Sequence, residues 1–169
     1  PDMFIEAMTT KLARMTCGDR YDWIRQPTWF EGDLEDIARR AIDKVQEAYP
    51  SNDPETTIEV DVVGYSMGGI VARYAADRLH KDNPGARRLK INRLFTISTP
   101  HRGAWLAERT PLVEDRGVGD LYRKSLFLTM LDEAYTGDYP IVPYGRLGDH
   151  VVGPINMAPP GRWPIWCSA

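Results

Sequence analysis

One serine in this chain stands in the sequence setting that a catalytic nucleophile requires. Ser66 lies in the run Gly64-Tyr65-Ser66-Met67-Gly68, a Gly-x-Ser-x-Gly motif. Before the motif come β-branched residues typical of a buried strand, and after it comes an apolar pattern at helical spacing. Strand, tight turn and helix together form a nucleophile elbow, which presents a serine hydroxyl at the edge of a sheet. We therefore predict that Ser66 attacks an acyl carbon. The alternative is a structural turn without chemistry.

Small residues surround Ser66, as a tight turn demands. Gly64 and Gly68 are expected to leave room on either side of the serine, and Gly69 to let the helix lie close to the sheet. The backbone N–H of Met67, at the start of the helix, is expected to point to the position where an oxyanion forms. The motif therefore predicts both a nucleophile and part of an oxyanion hole.

Helical and extended patterns alternate along the rest of the chain. The alternation predicts an α/β fold with a doubly wound, mostly parallel sheet flanked by helices. We expect residues 1–169 to form one partial domain, with a cap-like excursion around residues 104–124. The predicted elements are helix 4–15, strand 19–24, helix 34–48 after an N-cap at Asp33, the elbow strand and helix, strand 89–99, a helix opened by Ser125, and strand 139–144.

Composition excludes several classes of protein. The 169 residues are 43% hydrophobic and 27% charged, with a net charge of −3, which is ordinary for a globular protein. This mild acidity gives no reason to expect nucleic acid as a partner, and no apolar run is long enough to cross a membrane. No cofactor or metal site is predicted, because Cys17 and Cys167 have no metal-site spacing, although one disulfide bridge remains open. Pro1 is not an initiating methionine, so the cellular compartment is left open.

Two segments in combination resemble one protein family. Val63–Arg73 and Ile97–Ala104 are similar to the corresponding motifs of α/β-hydrolase lipases and esterases, in particular the bacterial triacylglycerol lipase and GPI inositol-deacylase-like group. Gly148–Val152 resembles the loop that carries the acidic residue of that family. The resemblance implies a serine nucleophile, a histidine base and an orienting aspartate, with lipid or acyl-chain esters as substrates. Asp149 fits the aspartate in chain order, and the alternative is a residue that caps its own loop.

The histidine of such a triad is harder to assign. Of the three histidines, His80 is expected far along the elbow helix, and His150 is too close to Asp149 to bridge it to Ser66. His101 follows the strand next to the elbow, where the resemblance implies a residue that shapes the loop rather than the base.

We therefore expect the base beyond Ala169, and a further strand with a second oxyanion donor before Pro1. On this view the chain is a piece of a longer hydrolase, nearly inactive alone and prone to self-association through exposed sheet edges. The alternative is a catalytically inactive relative that binds lipid or a protein.

Overall fold

A computed structural model of the protein describes residues 33–106 and 125–167, together with five helical residues near the start of the chain. Those five lie within the predicted helix 4–15 and agree with it: Ala7, Thr10, Lys11, Arg14 and Met15. The predicted strand 19–24 lies outside the described residues, as does most of the predicted excursion.

The first long helix is the one its apolar stripe predicts. Helix α1 spans Leu34–Ala48. The side chain of Asp33 accepts a hydrogen bond from the Asp36 N–H at 2.9 Å, which satisfies one of the free donors at the helix start. The apolar stripe faces the protein interior, because its buried members are Leu34, Ile37, Ala38, Ile42 and Val45.

Four parallel strands form the sheet, in the order β1-β2-β3-β4. They are β1 Val60–Tyr65, β2 Ile91–Ile97, β3 Ile141–Gly145 and β4 Ile165–Trp166. Tyr65 pairs with Ile97 and Ile97 with Tyr144, so the carboxyl ends of neighbouring strands meet at one edge. Ligands bind at this edge in open α/β sheets. The predicted class, a parallel sheet flanked by helices, is confirmed.

One strand comes from a segment in which the sequence shows no pattern. Strand β4 has two residues, Ile165 and Trp166, which is too short for any periodicity to show. Its partner β3 is short, as the prolines around it predict, yet it lies between two neighbours. Tyr144 C=O accepts a hydrogen bond at 3.0 Å from the N–H of Ser98, the residue that follows β2. Because successive residues of a strand point to opposite neighbours, the nitrogen of Pro143 points the other way, towards β4. Pairing with β4 begins only at Tyr144, so Pro143 removes no ladder bond there.

The helix after the elbow is not uniform, although its apolar spacing predicts an ordinary α-helix. Helix α2 spans Met67–Arg73, a π-helical turn covers Tyr74–Arg78, and helix α3 spans Leu79–Asp82. The wider π turn leaves carbonyl groups free to bond elsewhere. Ala75 C=O accepts from the Leu89 N–H at 3.1 Å, and Ala76 C=O accepts from Arg88 Nε at 3.0 Å. The irregular turn therefore ties the helix to the chain that enters β2.

Helix α4, Leu126–Ala134, begins where Ser125 predicts it. The Ser125 hydroxyl accepts from the Leu128 N–H at 3.2 Å. Helix α4, α1 and the elbow helix share one hydrophobic core on a single face of the sheet. On that face Leu94 and Thr96 of β2 are fully buried, whereas Phe95 and Ile97 on the opposite face are only half-buried.

Candidate active site

Ser66 has the strained backbone expected of the serine in a Gly-x-Ser-x-Gly turn between a strand and a helix. It connects β1 directly to α2, with φ of 50° and ψ of −126°. A positive φ is rare for a residue other than glycine and costs on the order of 1–3 kcal/mol, so the surrounding structure must hold it. The Ser66 N–H donates to the Ile97 C=O at 2.8 Å, which continues the sheet pairing to the turn itself. The half-buried hydroxyl has no hydrogen-bond partner among the described residues.

Close packing behind Ser66 explains two of the glycines. A Cβ atom on Gly64 would lie 2.5 Å from the Gly69 Cα, so strand and helix backbones touch at this point. A Cβ on Gly69 would lie 2.4 Å from Thr99 Oγ1 and 2.9 Å from Thr96 Cγ2, both on the neighbouring strand segment. The expected roles of Gly64 and Gly69 agree with this geometry. The role expected of Gly68 stays a prediction.

Met67 is the first residue of helix α2. The first N–H groups of a helix have no partner within it, and they carry the positive end of the helix dipole. An anion that forms beside the preceding serine would therefore find a hydrogen-bond donor at Met67. The assignment of Met67 to an oxyanion hole remains a prediction.

Asp149 lies in the loop that follows β3, at the same edge of the sheet as Ser66. Its Oδ1 accepts hydrogen bonds from the N–H groups of Val151 and Val152, both at 2.9 Å. The loop-capping role is therefore real. The second oxygen, Oδ2, has no hydrogen-bond partner in the described part of the chain, so the same side chain can also orient an imidazole.

The loop after β2 holds the Asp149 loop in place. Trp105 N–H donates to Val152 C=O at 3.3 Å, and Leu106 N–H donates to Val151 C=O at 3.0 Å. The Trp105 ring lies against Gly153, where an added Cβ would come within 2.5 Å of it. Asn156, which is buried, donates from Nδ2 to Val152 C=O at 2.9 Å. Sequence reasoning missed Trp105 and Asn156, and only the nearby glycine could have indicated the close contact.

His101 is fully buried, and both of its ring nitrogens are engaged. Arg73 Nη1 lies 3.3 Å from Nδ1, and Thr96 Oγ1 lies 3.0 Å from Nε2. Because a guanidinium only donates, Nδ1 must accept and Nε2 must carry the proton. Burial lowers the pKa of His101 well below its usual value, and the charges of Arg73 and Arg102 lower it further. His101 is a neutral residue that shapes its loop, as the resemblance implies.

Arg73 connects three segments beneath the elbow. Besides His101, its buried guanidinium donates from Nη2 to Asp132 Oδ1 at 2.6 Å and to Leu131 C=O at 3.3 Å. The elbow helix, the loop after β2 and helix α4 therefore meet at one charged group. This network is absent from the sequence prediction.

The other two histidines form no hydrogen bond with Ser66 either. His80 lies on α3, about 20 Å along the helix from Ser66 at the usual rise per residue. Burial lowers its pKa, with the charges of Arg88 and Lys81 adding to the effect. His150 is exposed in the turn beside Asp149.

Other kinds of site find no support within residues 33–106 and 125–167. No group of three or more His, Cys, Asp or Glu side chains there is arranged to hold a metal ion. Cys167 is exposed with a free thiol, so it takes no part in a disulfide. Among the same residues, no helix has the length and apolar character that a membrane crossing needs.

A parallel sheet with a strained serine between a strand and a helix defines the core of an α/β-hydrolase. Comparison with family models places the chain more closely. The model of the PGAP1-like alpha/beta domain matches residues 32–125, which is more than half of the chain, and the chain belongs to this family. The predicted resemblance to the GPI inositol-deacylase-like group is thereby confirmed.

Known relatives agree with this assignment. A GPI inositol-deacylase of Candida albicans (strain SC5314 / ATCC MYA-2876) is 29% identical over 106 residues, which cover 60% of this chain. The matched region makes up 25% of that protein, so the chain spans about a quarter of the length of this curated relative.

Two solved structures share the fold. The mature form of lipase BlEst2 from Bacillus licheniformis matches with a TM-score of 0.53 and 17% identity, over 80% of this chain and 67% of that one. Phospholipase PlaB from Legionella pneumophila, solved in complex with thio-NAD, matches with a TM-score of 0.52 and 13% identity, over 92% of this chain and 39% of that one. At these identities the likeness concerns the fold alone.

Proposed function

We propose that the protein is a serine hydrolase that cleaves carboxylic esters, with lipid or acyl-chain esters as substrates and an acyl-enzyme on Ser66. The observation that carries the proposal is the positive φ of Ser66 between β1 and α2, together with its unengaged hydroxyl. Strain of this kind persists where function requires it. Membership of the PGAP1-like family and the similarity to a GPI inositol-deacylase support ester chemistry in this protein.

The proposed reaction begins with attack of Ser66 Oγ on the acyl carbon. A histidine removes the hydroxyl proton as the new C–O bond forms, and the carbonyl oxygen becomes an oxyanion. The Met67 N–H donates to that oxyanion. The histidine then gives the proton to the departing alcohol. Water next attacks the acyl-enzyme while the histidine removes a proton from it, and the histidine returns that proton to Ser66 Oγ as the carboxylic acid leaves.

Asp149 is the proposed partner of the histidine. Strands β1 and β3 are two strand spacings apart, about 10 Å. An imidazole that bonds a hydroxyl on one side and a carboxylate on the other bridges roughly 8 Å. The space above the end of β2 therefore suits an imidazole between Ser66 and the free Oδ2 of Asp149. We propose that this imidazole comes from a segment that follows β4 at the same edge.

A catalytically inactive relative that binds a lipid or a protein is the second candidate. It is favoured by one observation: none of the three histidines forms a hydrogen bond with Ser66. In such a protein the strained serine would be a remnant of the fold and its removal would change no reaction.

Ester hydrolysis separates the two candidates. We would measure release of p-nitrophenol from a butyrate and from a longer-chain ester by the full-length protein and by residues 1–169 alone. The full-length protein is expected to be active, and Ser66→Ala to lose at least about a thousandfold in kcat. Ser51→Ala, in the loop before β1 at the opposite edge, is the matched control and keeps full activity. Equal activity of wild type and Ser66→Ala would contradict the proposal.

A further inference from the structure

Ser98 shares the unusual backbone of Ser66. Among the described residues, these two are the non-glycine residues with a positive φ, at 48° for Ser98 and 50° for Ser66. The side chain of a non-glycine residue crowds its own backbone in this region, and such strain clusters at functional sites. Nothing in the proposed triad accounts for a second strained serine.

The sheet places Ser98 next to Ser66. Tyr65 pairs with Ile97, so the two serines are the next residues on adjacent strands, about 4.8 Å apart at the strand spacing. The Ser66 N–H donates to Ile97 C=O at 2.8 Å, and the Ser98 N–H donates to Tyr144 C=O at 3.0 Å. These bonds extend the sheet to both residues. Ser98 therefore lies between the nucleophile after β1 and the Asp149 loop after β3.

The hydroxyl of Ser98 has no structural task. Its neighbour Thr99 donates to Gly64 C=O at 3.4 Å, and Thr96 on the same strand bonds the buried His101. Ser98, by contrast, is half-buried, and its hydroxyl has no hydrogen-bond partner among the described residues. A hydroxyl that is held in a strained position and makes no internal bond is available to a ligand.

We infer that Ser98 is a specificity-determining residue whose hydroxyl binds the alcohol part of the ester, an inference that rests on the proposed function. The carbonyl oxygen of the substrate turns towards the Met67 N–H, on the helix side of Ser66. The leaving oxygen must turn towards the imidazole that Asp149 orients, so the alcohol lies between Ser66 and that ring, on the β2 side of Ser66 and within reach of the Ser98 hydroxyl. An alcohol with its own hydroxyl next to the ester oxygen, as in glycerol, gains a hydrogen bond there, and a simple alkyl alcohol does not.

The test uses two esters that share an acyl group, glyceryl monobutyrate and ethyl butyrate, with the full-length protein. Ser98→Ala removes the hydroxyl and keeps the backbone strain, whereas Ser98→Gly removes both. Both variants are expected to lower kcat/KM for the glyceryl ester about three- to tenfold, the effect of one hydrogen bond, and to change the ethyl ester less than about twofold. The Tm of Ser98→Gly should exceed that of Ser98→Ala.

Three results would overturn the inference. The ratio of kcat/KM for the two esters could stay at its wild-type value in both variants, in which case the hydroxyl does not contact the alcohol. The ratio could change in Ser98→Gly alone, in which case backbone strain rather than the hydroxyl acts. Wild-type protein without any Ser66-dependent hydrolysis would overturn the proposed function and this inference together, whereas the first two results leave the proposed function intact.

Discussion

The elbow and the Asp149 loop lie at the same edge of the sheet, but different contacts hold them there. The elbow is built mainly from its own six residues, because Gly64 and Gly69 bring strand and helix backbones together within one short run, and β2 adds the bond from Ser66 N–H to Ile97 C=O. The Asp149 loop depends on partners far away in the chain, chiefly the backbone of Trp105 and Leu106. The position of the proposed nucleophile is therefore a local feature of the sequence, whereas the position of the proposed acid depends on the whole fold.

The largest effect is expected for Gly64→Ala. The added methyl group would meet the Gly69 backbone at 2.5 Å, and neither segment can move without opening the elbow. Overpacking against backbone typically costs about 1–3 kcal/mol, and here we expect the upper end of that range. The measurement is urea denaturation, with Gly85→Ala as the control. Gly85 has a φ of 96° and open space around it, so its variant reports backbone strain, whereas Gly64→Ala reports the steric collision. A Gly64→Ala variant as stable as wild type would contradict the close approach.

A slightly smaller effect is expected for Arg73→Met, because Arg73 holds the elbow helix to the loop after β2 and to helix α4. The variant leaves His101 Nδ1 and the Asp132 carboxylate without their donor, so we expect a loss of about 2–3 kcal/mol in the free energy of unfolding. Arg78→Met is the matched control, because its bond to Asp82 lies near the surface within one helix and is worth about 0.5 kcal/mol or less. Equal losses of unfolding free energy in the two variants would show that the buried Arg73 network stabilises the protein no more than a surface ion pair does.

Gly153→Ala tests the Asp149 loop by itself. Gly153 has a φ of 85°, and an added methyl group would meet the Trp105 ring. Since that ring can shift, we expect a moderate loss of stability, about 1–2 kcal/mol, with a larger loss of hydrolysis as Asp149 moves. The measurement is kcat at a temperature where circular dichroism shows both proteins folded. An unchanged kcat would contradict the proposal that the position of Asp149 matters for hydrolysis.

The last effect depends on pH and concerns a buried carboxyl group on the π turn. Burial raises the pKa of Asp77 to about 6, and it outweighs the Tyr139 hydrogen bond and the charges of Arg73 and Arg88, which lower it. Asp77 Oδ1 is buried without a partner. A folded pKa above the unfolded value means that this group stabilises the fold below about pH 4, and that the contribution is lost as the pH rises to about 6.

Comparison of Asp77→Asn with wild type isolates this contribution. The two pKa values predict that the variant gains up to about 3 kcal/mol over wild type between pH 4 and pH 7. His101 titrates with the opposite sign in the same window, since its folded pKa is lowered, but it contributes equally to both proteins. Urea denaturation across this range is the measurement. A pH-independent difference between the proteins would show that Asp77 does not titrate as described.

The same contrast explains how far the sequence could predict the structure. The elbow and the stripe of α1 are local patterns, and their residues lie where the patterns place them. Strand β4 has only two residues and is a strand because it pairs with β3, so no sequence pattern could predict it. The contact of Arg73 with His101 joins residues from separate elements. The position of Arg73 within an apolar helical pattern could indicate that it has a buried polar partner, but it could not indicate that this partner is His101.

The most direct test of the central claim is covalent labelling of the full-length protein with a fluorophosphonate, which reacts with activated serine hydroxyls. Mass spectrometry of the digested protein is predicted to find the adduct on Ser66, and to find none in Ser66→Ala. Labelling should be slowed at least about a hundredfold in Asp149→Asn, because the imidazole loses its orienting carboxylate. An adduct on another serine, or labelling that persists in Ser66→Ala, would contradict the assignment of the nucleophile.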